Sequence, residues 1–256
     1  MCATCGCGND EARVTPVGHD HDHPHNHDHP HDHDHPHTHV QADPDVRTHT
    51  LELEVAVLAR NDELAAGNRT WLAERGITAL NLMSSPGAGK TTLLERTIAA
   101  SARAVSVIEG DQETLVDAER IRRAGARAVQ VNTGAGCHLD STMVARALDE
   151  LQPEEGSILF IENVGNLVCP ALFDLGEDRK IVVISVTEGD DKPLKYPHMF
   201  AAADLVVLNK TDLLPYVDFD PEVLTTNARR LRPDVEVLPV SAKTGENLDS
   251  WFASLA

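Results

Sequence analysis

Three groups of chemistry-bearing residues stand out along this chain: a glycine-rich turn closed by lysine and threonine, an acidic recognition turn, and clusters of cysteine and histidine. The first is Ser84-Ser85-Pro86-Gly87-Ala88-Gly89-Lys90-Thr91-Thr92, a Walker A loop with Ser84 where a glycine usually stands. The Gly87-Ala88-Gly89 turn lets successive backbone N–H groups face phosphate oxygens, and a following helix adds its positive end. Lys90 is expected to reach the β- and γ-phosphates, and the Thr91 hydroxyl to ligate Mg. The second group is Asn209-Lys210-Thr211-Asp212. A carboxylate there accepts from both N1–H and the exocyclic amine of guanine, a donor pair that adenine lacks. Asp212 would therefore select GTP, the Lys210 stem would lie along the base, and Asn209 would tie the loop together. Ser241-Ala242-Lys243 is expected to meet the guanine carbonyl through backbone N–H groups.

Two acids complete this set. Glu162, in Glu162-Asn163-Val164-Gly165, and Asp111, in Glu109-Gly110-Asp111, end apolar runs. Either would hold Mg, directly or through water; Asp117 is a weaker candidate for orienting water. With no arginine finger or catalytic glutamine evident, unassisted hydrolysis by Lys90, Asp111 and Glu162 is expected to be slow, about 10⁻⁴ to 10⁻² s⁻¹.

The metal-binding chemistry is spread over three places. Cys2, Cys5 and Cys7 crowd three thiols into one short loop, and removal of Met1 would add an α-amine as a fourth donor. Such a set suits planar Ni(II), with tetrahedral zinc the alternative. From residue 19 to 39 a histidine stands at every odd position, eleven in all, interleaved mainly with Asp and Pro. This reads as a disordered, multivalent metal buffer. Cys137-His138 and Cys169 follow two further strand-like runs, where two thiolates and an imidazole would converge as an open site or half of one shared across a dimer.

The elements that must position these groups follow from hydrophobic patterning. Strand-like runs occupy Ala79–Met83, Ala104–Ile108, Ala128–Asn132, Ser157–Ile161, Lys180–Val186, Leu205–Leu208 and Val235–Val240. Helical stretches are expected at 52–66, 68–75, Thr91–Ala102, Thr114–Ala124, Asp140–Leu151, Pro221–Leu231 and Asn247–Leu255. Short, continuously apolar strands between helices mean a mostly parallel sheet covered on both faces. The expected fold is a three-layer α/β P-loop NTPase at 50–256, preceded by a disordered metal-binding region at 1–49. The net charge of −19 argues against nucleic acid and anionic membranes as partners. No apolar run is long enough to span a bilayer and no secretory signal is visible, so the reading is cytoplasmic with reduced thiols.

With these residues in view, the chain resembles the HypB family of hydrogenase nickel incorporation proteins. The resemblance rests on Leu80–Thr92, Gly134-Ala135-Gly136-Cys137-His138-Leu139, Glu162–Pro170 and Glu188–Pro197. It implies a SIMIBI-class GTPase that forms a GTP-dependent homodimer. With a HypA-type chaperone, it would deliver nickel to the [NiFe] hydrogenase large-subunit precursor. By the same resemblance Cys137, His138 and Cys169 form the GTPase-domain metal site and the N-terminal cysteines a tighter one. Whether Lys192 or Lys195 contacts the second copy stays open. A UreG-like urease factor is the first alternative, although its Cys-Pro-His motif differs from Cys169-Pro170-Ala171. A nickel store with a regulatory nucleotide site is the second.

Overall fold

The computed structural model describes residues 44–111, 116–133 and 137–255, with side chains omitted at 44–54, 111 and 116–118. Cys2, Cys5, Cys7 and the histidine tract lie outside the described residues, as does Gly134-Ala135-Gly136. Val57–Ala256 forms one compact unit and Met1–Ala56 another, of which the described part is helix.

Seven strands form one wholly parallel sheet: β1 (Thr78–Ser84), β2 (Val105–Asp111), β3 (Arg127–Asn132), β4 (Ile158–Glu162), β5 (Arg179–Ser185), β6 (Leu205–Asn209) and β7 (Glu236–Pro239). Their order is β3-β2-β4-β1-β5-β6-β7. All seven expected runs are strands, and no antiparallel edge is present among the described residues. Alternation along the strands makes two cores. Leu80, Leu82, Phe160 and Val183 face helices α2 (Lys90–Ala100), α3 (Val116–Ala124) and α8 (Leu248–Ala253). On that side Trp251 is fully buried and donates its indole N–H to Thr97 Oγ1 at 2.8 Å. The opposite sheet face packs on the C-terminal turns of α1 (Pro44–Glu74) and on α4 (Ser141–Leu151), α6 (Pro197–Ala202) and α7 (Pro221–Leu231). One short helix, α5 (Lys192–Lys195), lies between β5 and α6.

Helix α1 corrects one expectation. The sequence suggests two helices, 52–66 and 68–75, broken near Gly67. Instead one helix runs from Pro44 through Gly67. A mid-helix glycine costs only about 1 kcal/mol relative to alanine. Here the buried stripe Asn61, Ala65, Asn68 and Leu72 continues across it. Two of those four residues are polar, so the stripe is invisible as an apolar period.

Gly176 sets how closely α1 approaches the loop before β5. Its φ is +91°, and a Cβ there would lie 2.7 Å from Ala65 O and 2.8 Å from Arg69 N. Gly176→Ala is therefore expected to destabilise the fold by about 2–5 kcal/mol. A urea melt checks this, and an unchanged midpoint would refute the close packing.

Candidate functional site

The nucleotide loop is assembled from the C-terminal ends of four strands. β1 ends at Ser84 and the chain turns through Gly87 and Gly89, both at positive φ (76° and 99°), into α2. Glycine is required at 89 because a Cβ there would lie 2.5 Å from Asn209 Nδ2. Lys90 is 9% exposed, donates to Ser84 Oγ at 2.6 Å and sits 3.8 Å from Glu162 Oε1. Thr91 Oγ1 donates to the same carboxylate oxygen at 3.4 Å. Glu162 ends β4, and Thr92 follows Thr91 in the first turn of α2. Asp111 is the last residue of β2, the strand on which Glu109 is paired with Glu162. The hydroxyl of Thr91 and the carboxylate of Glu162 are hard oxygen donors beside a lysine, and this set fits Mg.

Asn209 joins the two halves of the nucleotide site. It is 1% exposed and its Nδ2 donates to Ala88 O at 3.0 Å. Its Oδ1 accepts from Lys210 N at 2.8 Å and Ala242 N at 3.1 Å. The side chain of Lys210, a residue with φ 63°, reaches back to Gly87 O at 2.7 Å. Ser241 Oγ donates to Asp212 Oδ1 at 2.6 Å, which fixes that carboxylate. Arg96 on α2 donates to the carbonyls of Ala242 (3.1 Å) and Lys243 (3.0 Å), so the phosphate helix braces the base loop.

Cys137, His138 and Cys169 do converge. Their ligand atoms all lie within 4.8 Å of one another. The two sulfurs are 2.9 Å apart, and Cys137 Sγ is 3.7 Å from His138 Nδ1. Cys169 opens a short 3-10 turn with Pro170, beyond β4; Cys137 lies beyond β3. The imidazole stacks on Phe173 with ring centroids 3.9 Å apart. Burial lowers the His138 pKa, with Asp140 opposing in part, which favours the neutral ring, whose nitrogen lone pair can act as a ligand. Two thiols and a neutral imidazole form a donor set for nickel or zinc.

Three residues in these sites escaped the sequence reading. Glu188 accepts from Ser85 Oγ and from Ser185 N (2.9 Å), and pairs with Lys192 at 3.7 Å. It ties the phosphate loop to α5. Asn163 accepts from Leu139 N at 3.2 Å, joining the residue after Glu162 to the residue after His138. Phe173 supplies the stacking ring. Glu188 and Asn163 stood in recognisable motifs, but nothing in their residue type announced a bridging role. Phe173 carried no signal.

A glycine-rich phosphate loop with its lysine, an Asn-Lys-Thr-Asp turn and a thiol–imidazole trio on the adjacent loops define a P-loop nucleotide-binding protein. The family model described as "CobW/HypB/UreG, nucleotide-binding domain" matches residues 78–239. The hydrogenase maturation factor HypB of Rhizobium leguminosarum bv. viciae is 58% identical over 207 residues, covering 80% of this chain and 69% of that protein. The crystal structure of HypB from Helicobacter pylori in complex with nickel matches with TM-score 0.74 and 40% identity, over 77% of this chain and 93% of that one. HypB from Archaeoglobus fulgidus matches with TM-score 0.72 and 41% identity, over 77% and 98%. The chain belongs to the CobW/HypB/UreG family of P-loop nucleotide-binding proteins and, within it, to the HypB hydrogenase maturation factors. Among the described residues, no helix is long and apolar enough to cross a membrane.

Proposed function

We propose that this chain hydrolyses GTP with Mg and uses the nucleotide cycle to handle nickel during [NiFe] hydrogenase maturation. The observation that carries the reading is the trio Cys137, His138 and Cys169, built on the same strand-end loops as Glu162. The relatives' role as hydrogenase maturation factors and the nickel complex of the Helicobacter pylori protein support nickel as the cargo. They favour it over a urease-dedicated factor or an inert store. The N-terminal cysteines and histidine tract would act as a second, nucleotide-independent nickel pool. A cytoplasmic GTP-dependent dimer, working with a HypA-type chaperone and the hydrogenase large-subunit precursor, fits this role.

Each residue has a defined task. The Gly87–Gly89 backbone and the α2 N-terminus receive the phosphates, and Lys90 neutralises charge developing on them. Thr91 and Glu162 would hold Mg, with Asp111 at the neighbouring strand end; Mg would supply electrostatic stabilisation of the transferring phosphoryl group. Asp212, fixed by Ser241, accepts the guanine donors, and the Ala242-Lys243 backbone closes on the carbonyl side.

Asp212→Asn replaces a recognition oxygen with a donor facing guanine's donors. It is expected to weaken GTP by about 1–3 kcal/mol. Competition binding of GTP and ATP tests the assignment, and wild-type protein that binds both equally well would sink it.

A further inference from the structure

Helix α1 contributes no ligand to the trio, yet two of its buried asparagines hold both segments that do. Asn61 Nδ2 donates to Asp174 O at 2.7 Å, and its Oδ1 accepts from Ser141 N at 2.9 Å. Asn68 Nδ2 donates to Ser141 O at 2.9 Å and to Leu175 O at 3.1 Å. Ser141 Oγ closes the set by donating to Asp174 O at 2.6 Å. The two asparagines stand seven residues apart, on one helix face, and each is 6% exposed. Ser141 starts α4, three residues after His138. Asp174 and Leu175 directly follow Phe173, the ring on which His138 stacks.

We infer that Asn61 and Asn68 are positioning residues for the metal trio. Between them they bind one backbone N–H and three carbonyls, and so set the separation of the Cys137-His138 segment from the segment running from Cys169 to Phe173. A side chain that both donates and accepts is needed at 61, and a double donor at 68. An apolar residue at either position would strand buried backbone groups. Docking of α1 itself does not depend on this bridge alone. Ala65 and Leu72 are buried on the same stripe, and Arg69 makes a bidentate pair with Asp174 at 2.6 and 2.8 Å. Metal coordination tolerates an error of only about 0.2 Å in ligand distance, so small relaxations of this bridge reach the ligands. The inference rests on the trio's holding nickel.

The test uses the full-length chain carrying Cys2→Ser, Cys5→Ser and Cys7→Ser. The chain has five cysteines, so Cys137 and Cys169 are then its only thiols. Thiolate-to-nickel charge-transfer absorption therefore reports the trio alone, because the histidine tract cannot produce it. Nickel is titrated against a competing chelator, and GDP affinity is measured in parallel. Asn68→Asp removes both donors and is expected to lower trio affinity about 10- to 100-fold and shift the band, with GDP affinity unchanged. Asn61→Asp keeps the acceptor for Ser141 N and loses only the donor to Asp174 O, so its loss should be smaller. Folded Asn61→Asp and Asn68→Asp variants with parental affinity and band would overturn the inference. Should Asn68→Asp fail to fold, Ser141→Ala decides with Asn61→Asp: a weakened, shifted band in either supports it, and parental behaviour in both rejects it. A Cys169→Ala control that keeps band and affinity would instead reject the trio as the metal site, and the inference with it.

Discussion

Replacing Lys90 with alanine is expected to lower nucleotide turnover by about 10²- to 10³-fold. The ammonium is buried against Ser84 Oγ at 2.6 Å and Glu162 at 3.8 Å, at the point where the glycine loop delivers phosphates. Its loss removes the charge that offsets the developing negative charge on the phosphates and the ammonium that sits beside Glu162. From the expected wild-type rate of about 10⁻⁴ to 10⁻² s⁻¹, the variant should turn over too slowly to detect in a phosphate-release assay. A variant retaining wild-type turnover under single-turnover conditions would show that the loop is not the hydrolytic site.

Cys169→Ala is expected to have the largest effect on metal binding by the nucleotide-binding domain. Loss of supporting hydrogen bonds around a metal commonly costs about 10- to 100-fold in affinity, so loss of a direct ligand should exceed that range. Cys169 is 1% exposed, and no other cysteine, histidine or acid among the described residues joins the trio to substitute for it. The same site should also respond to nucleotide. Asn163 follows Glu162, donates to Asn81 Oδ1 at 3.4 Å and accepts from Leu139 N at 3.2 Å. A shift of the β4 end is thus passed to the residue beside His138. Nickel affinity is expected to differ by about 5- to 150-fold between the GDP state and a non-hydrolysable GTP analogue, and nickel must alter nucleotide affinity by the same factor. Equal nickel affinities in both states would exclude the coupling, while leaving the ligand assignment to the Cys169→Ala measurement.

The sequence revealed the parts of this architecture that depend on strong local patterns. Seven apolar runs between helical stretches became the seven strands, and the Gly87–Thr92 turn and Asn209–Asp212 announced their own backbone chemistry. Long-range polar bridges were not legible. Glu188 reaches Ser85 across 103 residues, and Asn61 reaches Asp174 across 113. Neither residue type nor spacing encodes such a partner. Helix α1 was split for the same reason: its buried face carries asparagines whose partners lie on distant loops. The convergence of Cys137, His138 and Cys169 was within reach because each leaves the same edge of a parallel sheet. The order of those strands came only from the fold.

That order has a consequence for the newly made chain. β1 leads into the phosphate loop, but both of its neighbours are synthesised much later: Thr78 pairs with Ile158, and Leu80 with Arg179. Closing loops of this length costs entropy before any pairing compensates it, so these contacts form late. During translation β1 therefore waits without either flanking strand until β4 has left the ribosome, and without its second neighbour until β5 has. Throughout that interval Leu80, Leu82 and Met83 lack their native cover, and the cysteines at 137 and 169 emerge as separate thiols. The core strand β1 is most exposed to aggregation between its own emergence and that of β5.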